Sequence, residues 1–403
     1  MKRLLTILLI VLVAFAVVAT VISSRQKAAE TPAPEAPAAE PAEPADAPAE
    51  SAEPVVIRSL DLDAIRALHS PDEAALSLDG ETVTWQEYCE WLGQMGHQIE
   101  DYFRQMASYY GMTADWEGSV GDGSGMTFAQ YAVHETNANL SSILSYRRFA
   151  AQEQITLTDE ERGQLTDEAL AKSMLGENAT AEQLASQLES EGFSLETYRR
   201  IRETSLLLDK YMAETYGAKG EKLADEEVVA YMEGEGYVSA AHILLMTMDP
   251  NTGDKLDEAA VAEKQLKAQE LTDELRAIED PEKREERFLA LMGELSEDGG
   301  CVAYPKGYTY QPGIMVQEFE AAVAALQPGE VSDPVESVYG YHVIMRLPLR
   351  PESLLYSAQG MPVSGREEAA AAAMNKKLGA FMDENPVSYA EGIEDLDLTK
   401  YIK

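Results

Sequence analysis

Two short apolar runs decide the fold of this chain: AHILL at residues 241–245 and GYHVIM at residues 340–345. Each run has the composition of a buried β-strand, and each carries one histidine. Because successive side chains of a strand point to opposite faces, each histidine faces away from its immediate neighbours. The pattern predicts two adjacent strands on which His242 and His342 meet.

The segment between the two runs supplies the other groups of a small binding site. It holds two charged helical stretches, then a glycine-rich turn that contains Asp298. Met315 and Phe319 follow, four residues apart, which places them one above the other on a single helical face. An apolar slot with a few polar groups at one end is typical of sites for small ligands. The bland alternative is that these residues are ordinary core.

The order of these motifs resembles the parvulin family of peptidyl-prolyl cis-trans isomerases, and the whole chain resembles the PrsA and SurA group of extracytoplasmic foldases. The close resemblance covers about a quarter of the chain. It implies an α+β fold in which a mostly helical chaperone frame carries an inserted parvulin domain, itself a small antiparallel sheet flanked by helices. The matching motifs are the histidine of the first strand, SEDGG at 296–300, GIMVQEFE at 313–320, LQPGEVS at 326–332 and GYHVI at 340–344.

The resemblance also implies roles for single residues. His242 and His342 correspond to the paired histidines of the family and Asp298 to the acidic or thiol residue beside them, so these three are the expected catalytic residues. The prolyl ring would be held by three substrate-binding residues, Met315, Phe319 and Tyr310.

The implied reaction needs no nucleophile, metal or cofactor. Amide resonance gives rotation about a peptide bond a barrier of roughly 18–20 kcal/mol. Resonance also separates charge, so water stabilises the planar ground state more than the twisted transition state. A slot that grips the proline ring and excludes water therefore favours the twisted form.

The chain departs from the family pattern in one loop. The usual Gly-Gly-Asp-Leu-Gly is replaced by CVAYPKGY at 301–308, so one residue of the pocket has no counterpart. This departure keeps open a second function, a membrane-tethered holdase whose parvulin domain is no longer catalytic. A Cys301 nucleophile with a histidine as its base is a weaker alternative. Residues 246–249 lack the basic groups of phosphate-directed parvulins, so phosphoserine recognition is not expected.

The N-terminal residues indicate export. After Lys2 and Arg3, an apolar run extends from Leu4 to Ile22, longer than the 7–15 residues usual in a cleaved signal. We interpret residues 1–27 as an uncleaved signal anchor with the folded domains outside the cytoplasmic membrane; cleavage near Ala14-Phe15-Ala16 and secretion is the alternative. Residues 28–56, almost all Ala, Pro and Glu, are predicted to be a disordered spacer.

Three folded segments follow. Residues 57–236 are predicted to form an N-terminal helical, chaperone-like domain that begins with a hairpin at 75–83 and a long helix with an apolar stripe. We interpret that stripe as core rather than client surface. Residues 237–349 are the parvulin domain. Residues 350–403 contain an Ala-rich helix that we expect to pack on the N-terminal domain.

Composition limits the partners. The formal net charge of −39 excludes nucleic acid as a partner, because phosphates would be repelled. We expect unfolded or partly folded exported polypeptides with X-Pro bonds as clients, and homodimerisation stays open. The two cysteines make no disulfide framework, no metal-spaced cluster or nucleotide motif is evident, and His69, His97 and His134 are interpreted as structural. A surface protein that merely contains these folds is the remaining alternative.

Overall fold

The computed structural model of the protein describes residues 57–110, 114–249, 252–356 and 362–403. The predicted signal anchor (1–27) and spacer (28–56) lie outside the described residues. No helix within the described ranges has both the length and the apolar character that a membrane span requires.

The described elements are helices of 5 to 26 residues and short strands. The helices are α1 (Leu62–Arg66), α2 (Trp85–Tyr110), α3 (Phe128–Gln152), α4 (Asp159–Gly163), α5 (Asp167–Leu175), α6 (Ala181–Ser190), α7 (Leu195–Thr215), α8 (Asp225–Gly234), α9 (Glu258–Arg276), α10 (Pro281–Leu295), α11 (Gln317–Ala325) and α12 (Gly365–Glu384). The strands are β1 (Ala74–Leu78), β2 (Glu81–Thr84), β3 (Val238–Met246), β4 (Tyr308–Tyr310), β5 (Val335–Ser337), β6 (Gly340–Leu347) and β7 (Ser388–Tyr389). The small sheets are antiparallel, so the predicted α+β class is confirmed.

The chain divides into two compact units. The first comprises the described residues up to Tyr211 together with Lys377–Lys403, and the second comprises Met212–Lys376. Residues 350–376 therefore group with the second unit and the last 27 residues, Lys377–Lys403, with the first.

The first unit is helical around a three-stranded sheet in the order β2-β1-β7. The predicted hairpin turns at Asp79 and Gly80, whose φ angles of 46° and 89° are those of a type I′ turn. The apolar stripe of α2 is buried, as predicted for core: Tyr88 and Leu92 are 0% exposed and Phe103 is 1% exposed. Those side chains are therefore not a client-binding surface.

The second unit contains a four-stranded antiparallel sheet in the order β4-β3-β6-β5. Alternation along β3 divides its side chains between two cores. Ala241, Ile243 and Leu245 pack with α9 and α10, for example against Phe288. Ala240 lies on the opposite face with the aromatic residues of β4 and α11. His242 shares the parity of Ala240, so it points into this second, aromatic face.

Gly340 opens β6 where no other residue fits. Its φ is +144°, and a Cβ atom there would lie 2.2 Å from the carbonyl oxygen of Leu245. The close approach lets β6 run beside β3 over its whole length, from the pair Ser239 and Leu347 to the pair Met246 and Gly340.

Candidate active site

The two histidines meet across β3 and β6. In the sheet register His242 is opposite Ile344, and His342 is opposite Leu244. The histidines are therefore diagonal neighbours on one face of the sheet, a spacing that long or aromatic side chains can bridge. Their Nδ1 atoms are 3.0 Å apart, and both side chains are almost fully buried.

Asp298 extends the series of hydrogen bonds between the two histidines at the outer nitrogen of His242. His242 Nε2 lies 2.9 Å from Asp298 Oδ2. The turn that carries Asp298 is fixed to β3 by main-chain contacts: Leu244 N donates to Ser296 Oγ at 3.1 Å, and Glu297 N donates to Leu244 O at 2.9 Å. The serine and glutamate before Asp298 thus hold its carboxylate beside the histidine.

The hydrogen bonds determine the tautomers of the neutral pair. A carboxylate only accepts, so His242 carries its proton on Nε2 and accepts on Nδ1. His342 then donates from Nδ1, and its Nε2 accepts from the hydroxyl of Ser337 at 2.7 Å. The Ser337 hydroxyl accepts from Tyr339 N, and its own hydrogen remains to be donated to His342. In this series of hydrogen bonds, from Ser337 through the two histidines to Asp298, every donor points towards Asp298.

Electrostatics agree with this arrangement. The hydrogen bond from His242 holds the pKa of the Asp298 carboxyl far below its usual range, with further bonds from Tyr308 and from Gly300 N. Burial, together with the neighbouring His242, lowers the pKa of His342 to about 4. The site at neutral pH therefore contains an ionised Asp298 and a neutral His342.

Tyr308 is a site residue that sequence reasoning missed. Its hydroxyl donates to Asp298 Oδ2, the oxygen that also accepts from His242. Burial, reinforced by this bond, raises the pKa of Tyr308, so the phenol stays protonated. The loop 301–308 departs from the family pattern, and that departure was the signal that could have identified it. Gly300 leaves the necessary room, since a Cβ atom there would lie 2.0 Å from the Tyr308 hydroxyl.

The predicted ring-binding residues lie on the same face of the sheet. The Phe319 ring stands edge-on to His242 with centroids 5.2 Å apart and edge-on to His342 at 5.9 Å. The ring centroids of Tyr310 and Phe319 are 6.1 Å apart. Met315 packs against the same cluster and is partly exposed. The structure thus brings all six predicted residues into one neighbourhood.

A cavity of about 470 Å³ lies beside Met315 and Tyr310. Among the described residues that line it, neither histidine nor Phe319 appears; its other walls include Val238, Pro312 and Arg346. The two histidines are therefore not part of the walls of this cavity.

Glu320 is a second residue that sequence reasoning did not identify. Its Oε1 accepts from the main-chain N–H groups of Ile314 at 3.0 Å and Met315 at 2.8 Å, and from Gly313 at 2.8 Å. This cluster of N–H donors binds the loop to α11 and so places Met315 beside Phe319. The glutamate five residues after the methionine was the available signal.

Cys301 is half-buried beside the carboxylate. Its Sγ lies 3.7 Å from Asp298 Oδ2 and 3.5 Å from Ser296 Oγ. Burial raises the pKa of this thiol, and the neighbouring Asp298 acts in the same direction. A protonated thiol beside a carboxylate does not favour the alternative of a cysteine nucleophile.

Comparison with known proteins agrees with this geometry. Residues 242–347 match the model of the rotamase family, the PPIC-type peptidyl-prolyl isomerase domain. The chain is 29% identical to foldase protein PrsA 3 of Bacillus cereus over 41% of this chain and 65% of that protein. It is 38% identical to chaperone SurA of Chromohalobacter salexigens over 29% of this chain and 24% of that protein.

In both of these relatives the match spans less than two thirds of the relative's own length. Among solved structures, PrsA of Bacillus cereus covers 82% of this chain and 99% of its own, at 15% identity and a TM-score of 0.26. Residues 242–347 thus match the PPIC-type rotamase domain, and part of the chain is similar to the PrsA and SurA foldases.

Proposed function

We propose that this protein is a peptidyl-prolyl cis-trans isomerase that also acts as a foldase and chaperone for exported polypeptides. The proposal rests on one arrangement: His242 and His342 are bonded to each other, the pair ends on the ionised Asp298, and the Phe319 ring stands edge-on to both. The names of the relatives, foldase and chaperone, support the same activity.

In this proposal the protein lowers the rotation barrier by binding the twisted amide better than the planar one. Met315, Phe319 and Tyr310 hold the prolyl ring away from water, which removes the solvent that stabilises the planar form. Asp298 lies at the end of the histidine chain, where its negative charge disfavours the charge-separated, double-bonded resonance form. His242 and His342 keep the slot in one arrangement of donors and acceptors.

Two unused donors support a client site in the cavity beside Tyr310. The Tyr310 hydroxyl and Arg346 Nε are buried and have no hydrogen-bond partner among the described residues. Both residues line the cavity. Burial raises the pKa of Tyr310, so its hydroxyl remains a donor. Because an unpaired buried donor costs about 1–3 kcal/mol, we propose that a client carbonyl satisfies one or both.

We further propose that the domains act outside the cytoplasmic membrane. The apolar run and charged start of residues 1–27 support a signal anchor, and residues 28–56 would separate it from the folded part. Secretion after cleavage is the alternative.

We also propose that the parvulin domain, residues 237–349, is an insertion between two parts of one helical frame. The pairing of β7 with β1 supports this organisation.

A second function is favoured by Tyr308. Its phenol uses part of the accepting capacity of Asp298, the carboxylate that the isomerase proposal places near the client's peptide bond. If this contact blocks the reaction, the domain binds clients without isomerising them, as a tethered holdase. The variant Tyr308→Phe separates the two functions, since it restores isomerisation only if the hydroxyl is the block.

The proposal is tested by the refolding of a protein whose slow phase is limited by an X-Pro bond. Catalytic amounts of the full-length chain are expected to shorten that phase, and Phe319→Ala is expected to abolish the effect. Suppression of aggregation is measured in parallel at equimolar amounts. Suppression without acceleration, by both the natural protein and Tyr308→Phe, would leave the holdase.

A further inference from the structure

Three donor atoms of different chemistry meet beside the histidine pair. His242 Nε2, Asp298 Oδ2 and Cys301 Sγ all lie within 4.8 Å of one another. An imidazole, a carboxylate and a thiolate are the three ligand types that zinc accepts in proteins. His242 lies on β3, and Asp298 and Cys301 lie in the turn after α10. They are 56 and 59 positions after His242, so no short spacing motif marks the three residues.

The distances are close to those of a tetrahedral site. With metal–ligand bonds of about 2.0–2.3 Å, neighbouring ligand atoms of such a site stand roughly 3.3–3.6 Å apart. Cys301 Sγ and Asp298 Oδ2, 3.7 Å apart, are already near that separation. His242 Nε2 and Asp298 Oδ2, now hydrogen-bonded at 2.9 Å, need to separate by only a few tenths of an ångström.

The residues around these donors form a second layer of hydrogen bonds of the kind that orients metal ligands. His342 bonds the inner nitrogen of His242. Gly300 N donates to Asp298 Oδ1 at 3.1 Å, and Oδ2, which also accepts from the Tyr308 hydroxyl, is directed at the other two donors. Ser296 Oγ lies 3.5 Å from Cys301 Sγ. Each ligand is thus held by a neighbour that does not itself need to bind the ion.

We propose that His242, Asp298 and Cys301 form a binding site for a divalent cation of the zinc type. The side chain of Asp298 is 25% exposed, so water can occupy the fourth position. The Cys301 thiol gives one proton to solvent when it binds the ion. The histidine pair keeps its two protons: His242 donates from Nδ1 to His342, and His342 donates from Nε2 to Ser337.

An ion bound at this site inhibits the isomerase reaction. The ion takes the oxygen and the nitrogen that connect Asp298 to the histidine pair, and it reverses the direction of the donor chain. A cation of this type is therefore an inhibitor, and the inhibition depends on whether the Cys301 thiol is free to bind the ion. Binding itself stands apart from the proposed function, whereas inhibition rests on it.

Cobalt(II) is the probe for binding, because a thiolate ligand gives it a charge-transfer band in the near ultraviolet that carboxylates do not give. The full-length protein is titrated with Co²⁺, then with Zn²⁺ as competitor, and isomerisation of an X-Pro peptide is followed in the same samples. Cys301→Ser removes the sulfur donor. Cys89→Ser is the matched control, since Cys89 is the buried cysteine of the first unit.

The expected result is a saturable charge-transfer band in the natural protein and in Cys89→Ser, its displacement by Zn²⁺, and at least tenfold weaker binding without the band in Cys301→Ser. Zinc is expected to inhibit isomerisation at the concentration that displaces cobalt. Absence of the band, or an equal band in Cys301→Ser, overturns the metal site. An inactive protein that still shows the band would refute the isomerase proposal and leave the site intact.

Discussion

The imidazoles of His242 and His342 are bonded to each other although the two residues are not opposite in the sheet. Each is paired with a different residue, Ile344 and Leu244 respectively, and the Nδ1 atoms meet on the diagonal at 3.0 Å. Because each ring nitrogen has one partner, the chain from Ser337 to Asp298 has one direction of donation. The histidines consequently act as a unit.

Loss of either histidine is expected to have nearly the same effect as loss of both. His242→Ala and His342→Ala should each lower kcat/KM for X-Pro peptides about tenfold or more, since a buried hydrogen-bonding group left unpaired costs about 1–3 kcal/mol. The double variant should not be slower than the worse single variant by a further such factor. His134→Ala, on an exposed side chain of the first unit, is the control. If the double variant lost activity by the product of the two single losses, the histidines would not act as a unit.

The state of His342 fixes the direction of the pH dependence. Its pKa is lowered to about 4, so it is neutral at pH 5, where an ordinary histidine is protonated. NMR of the ring nitrogens should show protonation of His342 only near pH 4. Isomerisation should then fall as the pH falls through this value, because the protonated ring can no longer accept from Ser337. Protonation of His342 near pH 6.5 would contradict the donor chain.

The same shift affects stability. The folded-state pKa is below the unfolded value of about 6.5, so the unfolded chain takes up its proton first as the pH falls. The stability contributed by neutral His342 is therefore present above pH 6.5 and is lost between about pH 6.5 and 4, by about 3 kcal/mol. Urea unfolding followed by the NMR signals of β3 and β6 measures it. His342→Gln should remove most of this dependence.

Glu320 is predicted to control the affinity for the client through the position of Met315. Glu320→Ala removes the acceptor of three main-chain N–H groups of the preceding loop. We expect a rise in KM of about tenfold, from the loss of about 1–2 kcal/mol, with a smaller change in kcat. Glu318→Ala, on an exposed position of the same helix, is the matched control. Equal effects of the two substitutions would show that charge, and not loop position, is responsible.

Tyr310→Phe should change folding and function in opposite directions. The hydroxyl is buried without a partner among the described residues, so its removal is expected to leave stability unchanged or to raise it by up to about 1 kcal/mol. If a client carbonyl uses this hydroxyl, affinity for X-Pro peptides falls in the same variant. Thermal unfolding and KM are measured together. A destabilised variant, or one with unchanged KM, would contradict the assigned donor.

Part of the candidate site could be predicted from the sequence because its signals are local. Alternation placed His242 on one face of β3. The four-residue spacing predicted Met315 and Phe319 on a single helical face, and this was wrong in one respect, because α11 begins at Gln317 and Met315 lies in the loop before it. The hairpin predicted at 75–83 is equally local, since its turn is specified by the adjacent residues Asp79 and Gly80.

The residues that sequence reasoning missed make contacts that depend on the tertiary structure. The bond from Tyr308 to Asp298 joins a strand to a turn ten residues away, across a loop that departs from the family pattern. The bond from Ser337 to His342 depends on how β5 pairs with β6. Neither periodicity nor composition specifies such contacts, since they arise only when the sheet register is fixed.

The central claim is that the slot formed by His242, His342, Asp298 and Phe319 isomerises X-Pro bonds. The most direct measurement is the rate of cis-trans exchange in short X-Pro peptides, with several residues before proline, in the presence of the full-length protein. His242→Ala and Phe319→Ala are measured beside it, with circular dichroism to show that each is folded. We predict acceleration by the natural protein that is lost in both variants. A folded natural protein that accelerates none of the peptides would contradict the claim.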